Sequence, residues 1–507
     1  MTIVLDGHSL TIEDVVDVAR NHEKIEIHPE AMERIKECRE LLERKIAEKE
    51  IMYGVNTGIG ELSEVLLTQE QVEQYQRYLI YSHAAGYGEP VPEDGVRAAI
   101  LSRINCHCWG HSGLRSVVVE TLNKMLNKGV TPVMCQKGSV GASGDLSPMA
   151  QMALVPMGEG EAFYSGQRMS GKEAMDRAGI PTIVYEARDG LATINGSNLI
   201  TGMGALQIYD AMRWLKTSEI SAAMTLEALN ANMMAYDERL HKVRGFLGAI
   251  ECTENIRRIT EDSDLLAQEG KNVQDAYSLR STPQVVGAAK DAFKWARYMI
   301  ETELNSAADN PTFFPKQDLV LTGANFQGTP MAFALELVGI AVTTVAALSE
   351  RRLNRLLNPH LSMGLPAFLT KGAGMFSGLM LSQYTAGSLI CENRVLSHPA
   401  ATGSIPAAAD QEDFVSMGMT TAIKTRQIID NAQAVVAIEL MAGAQALDFR
   451  LPIRSSKGVS AAYEVIRKHV KHLEVDRPLY VDINNLTAVV RSGEVLNEVE
   501  KVVGELK

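Results

Sequence analysis

The eleven residues from Gly138 to Pro148, GSVGASGDLSP, constrain this chain more than any other stretch. Three glycines and three serines lie among them. Glycine loses backbone entropy in regular structure, and serine competes for the backbone hydrogen bonds of helices. The stretch is therefore predicted to be a loop held in a special shape, and not the interior of a helix or strand.

At the centre of this loop, Ala142-Ser143-Gly144 permits one unusual reaction. Because Gly144 has no Cβ, its amide nitrogen can approach the carbonyl carbon of Ala142 closely. Attack there would close a five-membered ring, and loss of two waters, one of them carrying the Ser143 hydroxyl, would leave an electrophilic methylidene group. No standard side chain is such an electrophile. The tripeptide alone is also compatible with a plain surface loop, since it occurs by chance in chains of this length.

The composition indicates a soluble globular protein with more than one core. The chain has 507 residues, 46% of them hydrophobic and 22% charged, and a net charge of -13. That charge argues against a nucleic-acid partner. The N-terminal MTIVLDGHSL lacks the pattern of a secretory signal, and apolar runs such as 337–348 fall short of the roughly 20 residues of a membrane span. We therefore expect a cytoplasmic protein that acts on a small molecule, with no membrane partner.

The six cysteines are scattered, as expected of reduced thiols. Cys106-His107-Cys108 is a candidate metal site. However, no CxxC or HxxxH pair accompanies it to complete a tetrahedron, and we expect no metal.

The periodicity of apolar residues predicts a mainly α fold in two parts. Residues 1–200 are expected to form a mixed, mostly helical domain that carries the glycine-rich loop, and residues 201–507 an elongated helical bundle. The first part should contain an extended TIVLDG, a helix that opens at Thr11 or Asp14, a polar turn at IEIHPEA and a hairpin at EGEAFYSGQRMSG. A helix is predicted from 30 to 51, and its apolar stripe comprises Met32, Ile35, Leu41, Leu42 and Ile46. The second part should contain long helices near 203–232, 283–304, 330–357 and 416–447.

Other residues stand at breaks between these elements. Tyr53 begins YGVNTGIG, His83 lies in YSHAAGYGEP and Asn195 precedes a glycine in DGLATINGSNLITG. Taken singly, each has an ordinary interpretation: a tyrosine at an interface, a structural histidine and a turn asparagine.

Together, GSVGASGDLSP and YGVNTGIG strongly resemble two loops of the aromatic amino acid ammonia-lyase and aminomutase family. The segments VQDAYSLRSTPQ (273–284), ELNSAADNP (303–311), GANFQGTP (323–330) and ADQEDFVSMG (409–418) resemble further segments of the family in the same order. The resemblance implies a 4-methylidene-imidazol-5-one cofactor that forms autocatalytically from Ala142, Ser143 and Gly144, with no external cofactor. It also implies a homotetramer with active sites shared between subunits.

The resemblance also assigns roles to single residues. Besides Ala142, Ser143 and Gly144, the implied catalytic residues are Tyr53 and Glu412, and the implied substrate-binding residues are His83, Asn195, Gln274, Tyr277, Arg280 and Phe326. As a general base near neutral pH, Tyr53 would need its pKa lowered by roughly 2 to 3 units, to which loop amides and the positive charge of Arg280 could contribute. The planar guanidinium of Arg280 suits a substrate carboxylate.

The substrate implied by Gln411-Glu412-Asp413 is histidine, with urocanate and ammonia as products, because a carboxylate can accept a hydrogen bond from an imidazole N–H. Two residues disagree: Phe414 replaces the usual histidine, and Glu61 stands where tyrosine aminomutases carry a glutamate. A tyrosine or phenylalanine ammonia-lyase or 2,3-aminomutase is therefore the alternative. A non-catalytic relative would be expected to lose Ser143 or Tyr53, and both are present.

Overall fold

The computed structural model describes residues 2–507, apart from the side chains of Gln69 and Glu73. It is mainly α, as predicted. The α-helices are α1 Ile12–Arg20, α2 Pro29–Ala47, α3 Gln69–His83, α4 Glu93–His107, α5 Ser116–Lys128, α6 Leu146–Leu154, α7 Gly171–Arg177, α8 Asp189–Ile194, α9 Asn198–Ala228, α10 Glu238–Arg244, α11 Leu247–Ile259, α12 Tyr277–Arg280, α13 Thr282–Leu304, α14 Thr329–Leu357, α15 Met380–Leu396, α16 Gly418–Asp448, α17 Lys457–His469, α18 Leu479–Ser492 and α19 Glu494–Val503. The strands are β1 Ile3–Leu5, β2 Ile25–Ile27, β3 Tyr87–Pro90, β4 Thr131–Pro132, β5 Cys135–Lys137, β6 Glu161–Tyr164, β7 Gln167–Ser170, β8 Thr312–Phe314 and β9 Leu319–Leu321.

The chain divides into two compact units. The first consists of Met1–Tyr209, Ala296–Glu336 and Pro399–Ile423, and the second of Asp210–Trp295, Leu337–His398 and Lys424–Lys507. This differs from the two contiguous domains predicted with a boundary at residue 200. The reason is that two later segments return to the first unit, and no shift in composition marks where they do so.

In the first unit, α2 supports the segment that carries Tyr53. Cys38, Leu41 and Leu42 on one face of α2 are buried in one cluster with Met52 and Val55, the residues on either side of Tyr53-Gly54. Burial of these apolar side chains fixes the backbone at both ends of Tyr53-Gly54. The predicted stripe of α2 is confirmed at Ile35, Leu41 and Leu42, which are buried.

Two predictions for short elements of the first unit have different outcomes. The hairpin is confirmed, since β6 and β7 pair antiparallel. The prediction of a polar turn at IEIHPEA is wrong for the first residues of that segment, because Ile25–Ile27 is strand β2 and pairs parallel with β1. Ile25 is buried, and burial of its apolar side chain stabilises the strand although the residues that follow are polar.

Long helices dominate the second part of the chain, as predicted. The windows 283–304, 330–357 and 416–447 correspond closely to α13, α14 and α16, whereas α9 begins at Asn198, five residues before the predicted start. In the second unit, the buried carboxylate of Glu439 accepts hydrogen bonds from the buried guanidinium of Arg352, with an Nε to Oε1 distance of 2.6 Å. A buried charge of this kind is tolerated because it is paired.

One helix is longer and more apolar than the sequence runs suggested. Among the described residues, Thr329–Leu357 alone reaches the length and composition of a membrane-crossing helix, with a mean hydropathy of 2.0 in its most apolar window. This corrects the expectation that apolar segments fall short of that length. Because 67% of the window is buried inside the protein, the helix has the character of a core helix.

Candidate active site

The glycine-rich loop folds back on itself around Ala142 and Ser143. Gly141 and Gly144 form an isolated antiparallel bridge, so the two residues between them occupy the tip of a tight turn. Ser143 has a φ of 54° and Gly144 a φ of 81°. A serine in this left-handed region is uncommon and costs conformational energy, on the order of 1 to 3 kcal/mol, which the surrounding structure must supply. The predicted special shape is therefore present.

Only glycine fits at position 144. A Cβ there would lie 2.2 Å from the carbonyl carbon of Gly196, which forms a parallel bridge with Gly144. Gly166, in the β6–β7 turn, has a similar φ of 75°, yet a Cβ there would meet nothing within 4 Å. The close approach of the Gly196 backbone, and not the backbone angle alone, therefore excludes a side chain at Gly144.

Asp145 anchors the end of this turn. Its N–H donates to the carbonyl oxygen of Gly196 (2.9 Å), and its Oδ2 accepts from the N–H of Ile200 (3.0 Å) in the first turn of α9. Burial raises the pKa of the Asp145 carboxyl to about 7, against the hydrogen bonds from Ile200, Ser139 and Leu199. Sequence analysis missed this residue, although its position directly after Ala-Ser-Gly was the available signal.

Glu412 lies against the tip of the turn. The Ser143 hydroxyl donates a hydrogen bond to Oε1 of Glu412 at 3.2 Å, although the two residues are far apart in the chain. The Glu412 segment is also tied to the glycine-rich loop by its backbone, since the N–H of Met417 donates to the carbonyl oxygen of Val140 (2.9 Å). The predicted catalytic carboxylate and the predicted electrophile precursor therefore occur together.

The loop that presents Glu412 is strained. Ala407 and Glu412 pair through two backbone hydrogen bonds, of 2.9 and 3.1 Å. Between them, Ala408, Ala409 and Asp410 have φ angles of 49°, 50° and 68°. Non-glycine residues rarely adopt this region, and three in succession indicate that the position of Glu412 is imposed by the surrounding structure.

Tyr53 is half-buried, and its hydroxyl accepts a hydrogen bond from the N–H of Gly60 (3.0 Å). Burial and the charge of Glu412 raise the pKa of Tyr53, while the Gly60 N–H and Arg188 act in the opposite direction. The net direction is upward. A general base was expected to have a lowered pKa, so the groups of this unit do not by themselves activate Tyr53.

Asn195 is buried, and both of its side-chain N–H groups are used within the protein. Nδ2 donates to Oδ1 of Asp309 and to the carbonyl oxygen of Asn310, each at 3.0 Å. Asp309 is in turn held by the buried Arg188, with an N to O distance of 2.8 Å. Arg188 and Asp309 were not predicted as site residues, because a lone arginine in the sequence gives no sign that it is buried.

The backbone of Phe326 lies next to the segment that follows Asn195. Its carbonyl oxygen accepts a hydrogen bond from the Ser197 hydroxyl (2.8 Å), two residues after Asn195. His83, at the end of α3, instead contacts its own helix, since its Nδ1 lies 2.8 Å from the carbonyl oxygen of Leu79. Nδ1 is therefore used at the helix end, and Nε2 is the ring atom left for a ligand.

Gln274, Tyr277 and Arg280 belong to the second unit, where they are close to one another. Gln274 and Arg280 line a cavity of about 470 Å³, and the guanidinium carbon of Arg280 lies 4.6 Å from the centre of the Tyr277 ring. Tyr277 is 71% exposed, and Arg280 Nε has no hydrogen-bond partner among the described residues. The cluster therefore places a half-buried cation, whose buried Nε has unused hydrogen-bonding capacity, at the wall of this cavity.

The Cys106-His107-Cys108 segment is buried in α4 and just beyond its end. His107 Nδ1 lies 3.1 Å from the Ser112 hydroxyl, and burial lowers the pKa of this histidine well below its usual value. Within residues 2–507, no group of three or more His, Cys, Asp or Glu side chains is arranged to hold a metal ion.

Comparison with known proteins defines the class to which this fold and turn belong. The family model for aromatic amino acid lyase matches residues 10–468, and the chain belongs to that family. It is a carbon–nitrogen lyase.

Individual relatives extend over the whole chain. The sequence is 47% identical over 502 residues to histidine ammonia-lyase of Alkaliphilus oremlandii. The alignment covers 99% of each chain. The structure matches tyrosine aminomutase from Streptomyces globisporus with a TM-score of 0.95 and 35% identity over 100% of both chains. It also matches histidine ammonia-lyase from Trypanosoma cruzi with a TM-score of 0.92 and 34% identity, over 99% of this chain and 95% of that one.

Proposed function

We propose that this protein eliminates ammonia from L-histidine to give urocanate. The observation that carries the proposal is the Ala142-Ser143-Gly144 turn, with Glu412 hydrogen-bonded to the Ser143 hydroxyl at 3.2 Å. The relative from Alkaliphilus oremlandii, named histidine ammonia-lyase, supports it at 47% identity.

The proposal includes a 4-methylidene-imidazol-5-one formed from Ala142, Ser143 and Gly144. The residues fit this group: the turn is tight, Ser143 has a positive φ, and the Gly196 backbone leaves no room for a Cβ at Gly144. When formed, the group supplies an electrophile that makes the substrate amine a better leaving group. The other steps are carried out by side chains of the protein.

Tyr53 would remove the β-proton of the substrate, and Arg280 would bind its carboxylate. Because burial and Glu412 raise the pKa of Tyr53, an additional positive charge is needed near its hydroxyl when substrate is bound. We assign this charge to Arg280 of a neighbouring subunit. Since both N–H groups of Asn195 are already used, its Oδ1 is the atom that would accept a hydrogen bond from the substrate amine.

Glu412 and His83 would select the substrate ring. A carboxylate left unpaired beside a phenyl ring costs about 1 to 3 kcal/mol, or roughly 5- to 150-fold in kcat/KM, whereas an imidazole or a phenol can donate a hydrogen bond to it. We therefore expect kcat/KM to be highest for histidine, lower for tyrosine and lowest for phenylalanine. The measurement is incubation of the pure protein with each amino acid, followed by assay of ammonia and of product ultraviolet absorbance.

Glu61 supports the second candidate function, an aminomutase or lyase that acts on tyrosine or phenylalanine. It is exposed in the short Gly60–Leu62 helix, next to the residue whose N–H binds the Tyr53 hydroxyl. A higher kcat/KM for tyrosine than for histidine, or accumulation of β-tyrosine in the same assay, would replace the histidine assignment with this one.

We further propose a homotetramer in the cytoplasm, with active sites shared between subunits and no nucleic-acid or membrane partner. Apolar and aromatic side chains exposed on the long helices support association, since aromatic side chains are enriched in protein interfaces. The most exposed of them on α13, α14 and α15 are Tyr298 (65%), Phe333 (53%), Tyr384 (61%) and Val395 (76%).

Sharing of sites can be tested by co-expression of two impaired variants, with activity assayed at a substrate concentration well below the KM of Arg280→Ala, where both variants alone are expected to be nearly inactive. If Tyr53 and Arg280 of one site come from different subunits, tetramers that contain both Tyr53→Phe and Arg280→Ala chains should include some intact sites and regain part of the wild-type activity. The matched control is Tyr53→Phe with Ser143→Ala. Both of these residues lie in the first unit, so this mixture should stay inactive. Equal activity of the two mixtures would contradict shared sites.

A further inference from the structure

We propose that Glu412 has a second role, before any substrate binds: it donates the proton that lets the Ser143 hydroxyl leave as water when the electrophile forms. This inference rests on the proposed function, because it concerns the formation of the group proposed there. It adds a maturation step carried out by a side chain that is otherwise assigned to the substrate.

The leaving oxygen is in direct contact with the proposed acid. In the unmodified chain, Ser143 Oγ and Glu412 Oε1 are 3.2 Å apart and hydrogen-bonded. Hydroxide is a poor leaving group, and general acids accelerate its departure when they are within hydrogen-bonding distance. Glu412 is at this distance in the absence of substrate. In the structure its Oε1 accepts from the Ser143 hydroxyl; a Glu412 carboxyl that has taken a proton from solvent donates along the same contact in the reverse direction.

The loop geometry holds Glu412 in this position independently of substrate. The paired backbones of Ala407 and Glu412 fix the residue at its own backbone, and the hydrogen bond from Met417 to Val140 fixes the loop to the turn that contains Ser143. A group placed by the backbone in this way is already oriented for proton transfer.

The neighbouring polar groups are engaged elsewhere. Ser139 Oγ bonds the Gly144 carbonyl oxygen (3.3 Å) and Oδ1 of Asp145 (3.4 Å), and Oδ2 of Asp145 accepts from the Ile200 N–H. The Tyr53 hydroxyl is bonded to the Gly60 N–H. Glu412 is therefore the carboxyl placed on the Ser143 hydroxyl.

The complete reaction loses two waters. The Gly144 nitrogen attacks the Ala142 carbonyl carbon, and the carbonyl oxygen leaves as the first water with the protons of the Gly144 and Ser143 N–H groups. In the second step the Ser143 Cα proton passes to solvent water, and its electron pair forms the Cα=Cβ bond. The Cβ–Oγ bond breaks, and the protonated Glu412 carboxyl gives its proton to the departing oxygen. Glu412 then regains a proton from solvent.

The test follows the intact mass of newly synthesised protein over time by mass spectrometry. Wild-type protein should lose two waters. Glu412→Gln keeps the size of the side chain but has no acidic proton, and it should complete the second loss more slowly, on the order of 10²-fold, so that a species lacking one water accumulates. Asp413→Asn is the matched control, since Asp413 is the exposed neighbouring carboxylate, and it should mature at the wild-type rate.

The outcomes separate this inference from the proposed function. If wild-type protein never loses two waters, the proposed function itself is wrong. If wild type and Glu412→Gln lose both waters at the same rate, only the role of Glu412 in maturation is overturned. Should Glu412→Gln lack the wild-type circular dichroism spectrum, the comparison passes to Glu412→Asp and Glu412→Asn, which are equal in size. Faster maturation of the aspartate variant supports the inference, and equal rates overturn it.

Discussion

Replacement of Ser143 by alanine is expected to abolish both the two-water loss in mass and nearly all ammonia release. Without the Ser143 hydroxyl, no methylidene group can form, and the substrate amine stays a poor leaving group. We expect kcat to fall by at least about 10³-fold, the scale of loss when a group that forms a covalent intermediate is removed. Intact mass and steady-state kinetics on the same preparation measure the two effects together.

The matched control for this substitution is Ser165→Ala. Ser165 also has a positive φ (51°), but it lies in the exposed β6–β7 turn. Ser165→Ala should keep the wild-type mass deficit and activity. Ammonia release by Ser143→Ala at the wild-type rate, or an unmodified mass in fully active wild-type protein, would rule out the electrophile as the source of activity.

The local features of the site could be predicted from the sequence because they depend on residues close together in the chain. The tight turn follows from glycine and serine at fixed spacing, and the structure has the turn at Gly141–Gly144. The long helices follow from apolar periodicity. Some helix bounds were misplaced: α9 begins five residues and ends four residues before the predicted bounds, and α2 ends at Ala47 where residue 51 was predicted. At the start of α9, the sequence before residue 203, INGSNLITG, contains a turn signal and the helix begins directly after it.

The distant features could not be predicted in this way. The contact of Ser143 with Glu412 spans 269 positions, and the family resemblance suggested a common site without giving a distance. The strain at Ala408, Ala409 and Asp410 has no sequence signal, because none of these residues is a glycine. The direction of the Tyr53 pKa shift was also missed, since it is set by burial and by Glu412 and not by the residues next to Tyr53.

Substitutions of Tyr53 and of Arg280 are expected to change different kinetic constants. Arg280→Ala should raise KM first, because a group that binds the substrate carboxylate stabilises bound substrate and transition state alike. A smaller fall in kcat should accompany it, because the positive charge assigned to Tyr53 is removed. A loss confined to kcat would argue against this role. The matched control for Tyr53→Phe is Tyr78→Phe. It removes an exposed hydroxyl on α3 and should leave kcat and KM unchanged.

Tyr53→Phe is expected to lower kcat by about 10² to 10⁴-fold, the usual contribution of a general base, with a smaller change in KM. The wild-type pH profile gives a second criterion. Burial and Glu412 raise the pKa of Tyr53, so the phenolate is the minor form near neutral pH, and its population grows as pH rises toward that pKa. Because this is the pKa of the substrate-free enzyme, wild-type kcat/KM should increase with pH above neutrality, and Tyr53→Phe should lose this increase. If the variant keeps the wild-type kcat and the wild-type pH dependence of kcat/KM, the base is a different residue.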